Sequence, residues 1–293
     1  MKSRNVVAFG EVFMQRGIRN IFQLILLVIV ILSLKTLEVE ASTQYADQES
    51  NDSFAEAQQI GRNAMTPSNR ISATTTLYRY VTGSLEGRED EDWYWLALNE
   101  GSNNYLTISK VIGTVYIDIM NEVGEVLYTF SYDGNSNSEN VFRVDISAYG
   151  YYYIRLYHDI DMTTNYYFTI GNPEYYLGSY THEFGKQTLP AKGTWEDTVN
   201  LGLISSIPSQ AIGYKITILG CATSDCADRY YYIQSRDTWL ATKINHVGDL
   251  AVIDASALAQ RWGVRYVSKS KSNLSFSPQF TINYVYPGLP AGE

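Results

Sequence analysis

The chain has 293 residues, with 22 Lys and Arg against 31 Asp and Glu and a formal charge of −9. Such an acidic balance argues against nucleic acid or anionic lipid as a partner and suits a chain that binds cations. Twenty-five tyrosines, with many Thr, Ser, Val and Ile, favour strands over helices.

The amino terminus reads as an export signal. Lys2, Arg4, Arg16 and Arg19 precede an apolar run over 21–34, and Val39-Glu40-Ala41 resembles a small-residue cleavage site. A signal peptide over 1–41, cut after Ala41, is expected; an uncleaved signal anchor is the alternative, although the apolar run is shorter than the ~20 residues that span a bilayer. Nothing later in the chain reads as membrane-spanning. Residues 42–293 carry 17 basic and 28 acidic side chains, a charge of −11, and are enough for one large domain or two ordinary ones.

Period-two alternation recurs from there, with turn residues between the runs. It predicts strands at 77–85, 92–98, 104–109, 114–120, 125–131, 140–146, 151–157 and 165–170, separated by Glu100-Gly101, Glu122-Val123-Gly124, Asp133-Gly134 and Tyr149-Gly150. Gly and Pro in "GNPEYYLGS" then place a boundary at 171–178. Further strands are expected in "AIGYKITILG", "RYYYIQS", "WGVRYVSKS" and "QFTINYVY", and one helix in "DASALAQRW" with Asp254 as its cap. The fold class is therefore all-β: two jelly-roll-like β-sandwiches, over 42–172 and 173–293, the second ending in a short tail.

Cys221 and Cys226, the only cysteines, fit a disulfide in an exported protein; as a zinc site they supply half the ligands and no neighbouring His completes the set.

Two acidic stretches stand out. "DQESNDSFAEA" at 47–57 holds Asp47, Glu49, Asn51 and Asp52, and "REDEDWYW" at 88–95 runs Glu89, Asp90, Glu91 and Asp92 into an aromatic strand. Like charges at that density repel unless a counter-ion lies between them or they splay into water. A solvated linker and an ordinary polar turn are the plainer readings.

The order of features resembles the bacterial pre-peptidase C-terminal domain, a β-sandwich module appended to secreted proteases and related to the collagen-binding domain of clostridial collagenases. Its acidic opening segment is matched by Glu49, Asn51, Asp52, Phe54 and Ala57, and its V-x-G-x-L turn by Val81, Gly83 and Leu85. Asp92-Trp93-Tyr94 matches its D-W/F-Y strand, "DIMNEVGEVLYTF" its hairpin and "GYYYIRLY" its G-x-Y-Y-I-R-V strand. The resemblance covers about 45–171 and implies a calcium site with ligands at Asp47, Glu49, Asn51, Asp52, Glu89 and Asp92, and a further position at Ser84. Glu89 stands where the collagenase type has Asp. Independently, Ca²⁺ takes six to eight hard oxygens, which carboxylates and an amide from two segments supply.

Alternation also separates the faces of each strand. Tyr151, Tyr153, Arg155 and Tyr157 point away from the apolar face of 151–157, and the family pattern leaves Trp93 and Trp95 outward on 92–98. The two tryptophans are expected either against the second domain, the preferred reading, or in a ligand platform. Outward aromatic rows suit stacking on sugar rings or packing along an extracellular polymer such as a collagen-like fibre.

For catalysis there is little: "HEFGK" lacks the second His of a zincin, and no G-x-S-x-G elbow or phosphate loop occurs. The expectation is a secreted or cell-surface, non-catalytic binding or adhesion protein stabilised by calcium. A structural surface or coat component, or a hydrolase whose carboxylate pair is defined only in space, are the alternatives. The oligomeric state is not legible.

Overall fold

The eight strands expected between 77 and 170 all form, because each alternates core and solvent residues and is bounded by a turn. In the computed structural model, which describes residues 42–136, 140–222, 224–242, 247–249 and 257–291, they are β3 (Arg79–Leu85), β4 (Glu91–Leu98), β5 (Gly101–Ser109), β6 (Thr114–Met120), β7 (Val126–Asp133), β8 (Val141–Ile146), β9 (Gly150–His158) and β10 (Thr164–Gly171). Two short strands precede them, β1 (Thr43–Ala46) and β2 (Gln58–Gln59). The ten make two five-stranded sheets, ordered β1-β3-β10-β5-β8 and β2-β4-β9-β6-β7. Between the sheets lie Leu85, Tyr94, Leu96, Leu98, Ile117, Ile154, Leu156 and Phe168, each at most 1 % exposed. Burial of such side chains contributes roughly 1.5–3 kcal/mol each.

The remaining strands are β11 (Tyr175–Glu183), β12 (Gln187–Leu189), β13 (Thr194–Asn200), β14 (Ile212–Leu219), β15 (Cys226–Ile233), β16 (Thr238–Thr242), β17 (Val247–Asp249), β18 (Arg261–Ser268), β19 (Leu274–Phe276) and β20 (Gln279–Pro287). They form sheets β11-β20-β14-β17 and β13-β18-β15-β16 with a small β12-β19 pair. Their separate core contains Trp262, Tyr266, Phe280 and Ile282. The architecture is all-β, as expected, and Cys221 and Cys226 are disulfide-bonded.

Two expectations need correction. Strand β11 starts at Tyr175, inside the segment read as a boundary, so the connection is only Asn172 to Glu174. Gly178 is not a turn residue: a Cβ there would lie 2.5 Å from the Tyr284 ring, so the glycine admits a cross-strand aromatic. The helix expected over 254–262 does not form where it is described. Ala257 bridges Ile212, the Leu258 amide donates to the Ala211 carbonyl at 2.8 Å, and β18 begins at Arg261; 254–256 lie outside the described residues. Leu258 and Trp262 are both fully buried, so their helical spacing comes from a loop anchor followed by an inward strand residue. The signal segment 1–41 and its cleavage site also lie outside the described residues.

One short helix was not anticipated, α1 (Pro67–Ile71), capped by the Thr66 hydroxyl with Pro67 in its first turn. Among the described residues no helix is long and apolar enough to cross a membrane.

Candidate metal centre

The acidic segments meet because the chain after β1 crosses from one sheet to the other. The Asp47 amide donates to the Thr82 carbonyl at 2.9 Å, extending the parallel pairing of β1 with β3. Residues 48–57 then span the open end of the sandwich, and β2 pairs with Tyr94 and Trp95 of β4. Midway, the Trp93 amide donates to the Asn51 carbonyl at 2.9 Å, and the Asn51 amide group donates to Asp47 Oδ1 at 3.0 Å and to the Trp93 carbonyl at 3.3 Å.

Asp92 enters from the other side. It shares the inward face of β4 with Tyr94, Leu96 and Leu98 and is fully buried. Its Oδ2 accepts from the Tyr166 hydroxyl at 2.7 Å, while the Tyr94 hydroxyl donates to Asp47 Oδ1 at 2.6 Å and touches that of Tyr166. One carboxylate oxygen each from Asp47, Glu49 and Asp92 lies within 4.8 Å of the others. Gly83 leaves room for this: a Cβ there would press on the Tyr166 hydroxyl and lie 2.8 Å from Asp47 Cβ.

The electrostatics are those of carboxylates without a counter-charge. Burial, then the charge of Asp47, pushes the Asp92 carboxyl up to about 8 against the opposing Tyr166 hydrogen bond. Burial and the charges of Asp47, Asp90 and Asp52 push Glu49 up to about 7. Burial and nearby carboxylates also push the Tyr94 and Tyr166 phenols far up, so both act as neutral donors. Among the described residues none of the three carboxylates has an ion-pair partner, and two buried acceptors, Asp92 Oδ1 and Asn51 Oδ1, have no hydrogen bond. A buried acceptor without a donor is costly, whereas a hard divalent cation takes such oxygens as ligands. The three carboxylates of Asp47, Glu49 and Asp92 are donors of the kind calcium takes, with carbonyls, amide oxygens and water to complete such a shell.

The other sequence-predicted ligands are placed differently. Asp52 is exposed and acts on Glu49 through charge and a hydrogen bond. Ser84 follows Gly83 on β3 and is thus directed to the opposite face of the sheet. Glu89 is exposed at the outside of the β3–β4 loop with Arg88 and Asp161, and it is Asp90 whose charge acts on Glu49 and Asp92. A tight turn, closed by the Asp90 amide on the Gly87 carbonyl at 3.1 Å, decides which of these adjacent acids turns inward; counting carboxylates along "REDED" carries no such signal.

The predicted aromatic face exists on the β2-β4-β9-β6-β7 sheet, but it is partly occupied. Phe54, from the crossing segment, stacks on Tyr153 at 4.0 Å and meets Trp93 edge-on at 5.9 Å, leaving Trp93 8 % exposed. Arg155 lies over the Trp93 and Tyr157 rings and binds Asp118 and Glu91. Trp95 packs against Tyr151, which is 52 % exposed, and Tyr157 stacks on Tyr116. Phe54, Tyr116 and Asp118 complete this face and were not singled out for it, since the crossing segment brings Phe54 there and cross-strand register brings Tyr116 and Asp118. The described contacts of Trp93 and Trp95 are all within this sheet and its crossing segment, not with the second sandwich. Links to the 172–174 connection instead come from the other sheet's side, where the Tyr78 and Tyr167 hydroxyls donate to Glu174.

Fold and site together define a two-sandwich, all-β protein with a buried carboxylate centre at one end of the first sandwich. No protein-family profile matches the chain, and no curated protein matches it in sequence. Among solved structures, a predicted secreted protein from Eubacterium rectale shares the fold over 85 % of this chain and 88 % of its own, with a TM-score of 0.50 and 12 % identity. The pre-peptidase C-terminal domain of a Bacillus anthracis collagenase aligns over 39 % of this chain and 93 % of its own, with a TM-score of 0.28 and 17 % identity. The exported protein XepA of PBSX aligns over 69 % and 84 %, with a TM-score of 0.23 and 10 % identity.

Proposed function

We propose that the protein is exported and acts outside the cell as a non-catalytic binding protein whose first sandwich is stabilised by calcium. Asp47, Glu49, Asn51 and Asp92 hold the ion, which joins the amino-terminal segment to β4 and removes the repulsion among the carboxylates. The observation that carries this reading is the fully buried Asp92, with one oxygen unpartnered and two further carboxylates within 4.8 Å. Extracellular calcium is abundant enough to fill even millimolar sites. Trp95, Tyr151, Tyr153 and Tyr157 form the surface that engages an extracellular polymer, a protein fibre or a polysaccharide.

Melting the purified protein in millimolar calcium and in chelator tests the metal. An increase of several degrees with calcium is expected, and an unchanged melting temperature rejects the site. Cosedimentation with collagen fibrils and with insoluble polysaccharides tests the polymer; recovery only in the supernatant in every case rejects that part.

A further inference from the structure

A second surface, remote in sequence from the acidic centre, holds an open cleft. The end of β11 and β20 and the turn at 208–211 enclose a cleft of about 400 Å³, lined by Tyr176, Tyr286, Pro208, Ser209, Gln210 and Gly288. Tyr176 and Tyr286 are cross-strand neighbours with ring centroids 5.7 Å apart, and Tyr176 is 39 % exposed. Exposed aromatic rings beside a cleft mark a surface with a use.

The Tyr176 ring is held in place without a ligand. Its hydroxyl donates to Glu174 Oε2 at 3.1 Å, while the Tyr78 hydroxyl occupies Glu174 Oε1 at 2.8 Å. The Gly288 amide donates to the Glu174 carbonyl at 2.8 Å, and a Cβ at 288 would lie 2.7 Å from Tyr176 Cε2, so the glycine lets the ring lie close over the backbone. A ring fixed in advance loses little freedom on binding.

The polar groups of the cleft are uncharged. Glu174 is engaged by tyrosine hydroxyls, and the Tyr176 phenol, pushed up to about 12 by burial and by Glu174, stays neutral. Ser209 and Gln210 are exposed in a turn closed by the Ala211 amide on the Pro208 carbonyl at 3.0 Å. Among the described residues, their side chains and the Tyr286 hydroxyl form no hydrogen bond, which leaves both donors and acceptors at the rim. A pyranose ring matches that set, with an apolar C–H face for the tyrosines and hydroxyls that donate and accept. A proline-rich segment offers an apolar face too, but its prolines supply only carbonyl acceptors and leave the rim acceptors unmatched.

We infer that this cleft is a binding subsite for a neutral polysaccharide, with Tyr176 and Tyr286 as the stacking platform and Ser209 and Gln210 as hydrogen-bonding groups. The inference rests on the polymer-binding reading, whose ligand class it names, but not on calcium or on the aromatic face of the first sandwich.

Calorimetric titration with cellohexaose, xylohexaose, mannohexaose and laminarihexaose, with decaproline as the competing probe, tests it. Binding of at least one hexasaccharide is expected, weakened about tenfold by Tyr176→Ala and measurably by Gln210→Ala on the exposed turn, and unchanged by Val123→Ala at an exposed hairpin tip of the first sandwich or by chelator. Failure of all four sugars to bind overturns the inference, as does binding of decaproline alone. Sugar binding lost with Tyr151→Ala but kept with Tyr176→Ala and Gln210→Ala overturns it while leaving the polymer reading intact on the other face.

Discussion

Replacing Asp92 by Asn should make the calcium-free protein more stable, not less. Asp92 is fully buried, and its carboxyl is raised from an ordinary 3.8 to about 8, first by burial and then by the charge of Asp47. At pH 7 the folded state must take up a proton that the unfolded state has released, which costs on the order of 4 kcal/mol at about 1.4 kcal/mol per pH unit. Because the folded value lies above the unfolded one, the associated stability is complete below about pH 3.8 and is lost as the pH rises through about 8. Asparagine keeps the shape and an oxygen for the Tyr166 hydroxyl while removing the titration. Urea denaturation of both proteins in chelator from pH 5 to 8.5 should show curves that diverge as the pH rises, with the variant more stable at the alkaline end. In calcium the gap narrows: the wild type gains about 2.7 kcal/mol when calcium is at one hundred times its Kd, and the variant, lacking the central carboxylate, gains little. A variant less stable than wild type at pH 8 in chelator, or one that keeps the full calcium gain, would refute the assignment of Asp92 as a strained, metal-seeking carboxylate.

Gly83→Ala places a methyl against the Tyr166 hydroxyl and 2.8 Å from Asp47 Cβ; overpacking of this kind costs roughly 1–3 kcal/mol, and urea midpoints should fall accordingly, together with the calcium-induced gain. Replacing Cys221 and Cys226 by Ser opens a loop of sequence separation 5, and the closure entropy predicts a loss of about 2 kcal/mol. Equal denaturation midpoints for the serine variant and the oxidised wild type would contradict that estimate.

The strands of the first sandwich were legible because their signal is local. In 151–157, Tyr152, Ile154 and Leu156 face inward and the intervening residues face outward, and one face buried against another sheet fixes that alternation whatever the strand order. The second half was less legible. Gly178 reads as a breaker until the Tyr284 ring beside it is known, and Leu258 with Trp262 mimics a helical face because a loop anchor and a strand residue fall four positions apart.

The site divides along the same line. That two acidic segments exist, that calcium chemistry suits them and that the cysteines suit a disulfide followed from residue types and spacing. Which side chains converge did not, because β1–β3 and β2–β4 pairing joins residues more than thirty positions apart and a single turn chooses Asp90 over Glu89. Trp93 shows the same limit: alternation places it on the outer face, and only the fold brings Phe54 across to cover it. Side-chain direction along a strand is set by the backbone period and is written in the sequence, whereas the partners each side chain meets are set by non-local register and by the crossing segment, which only the tertiary structure decides.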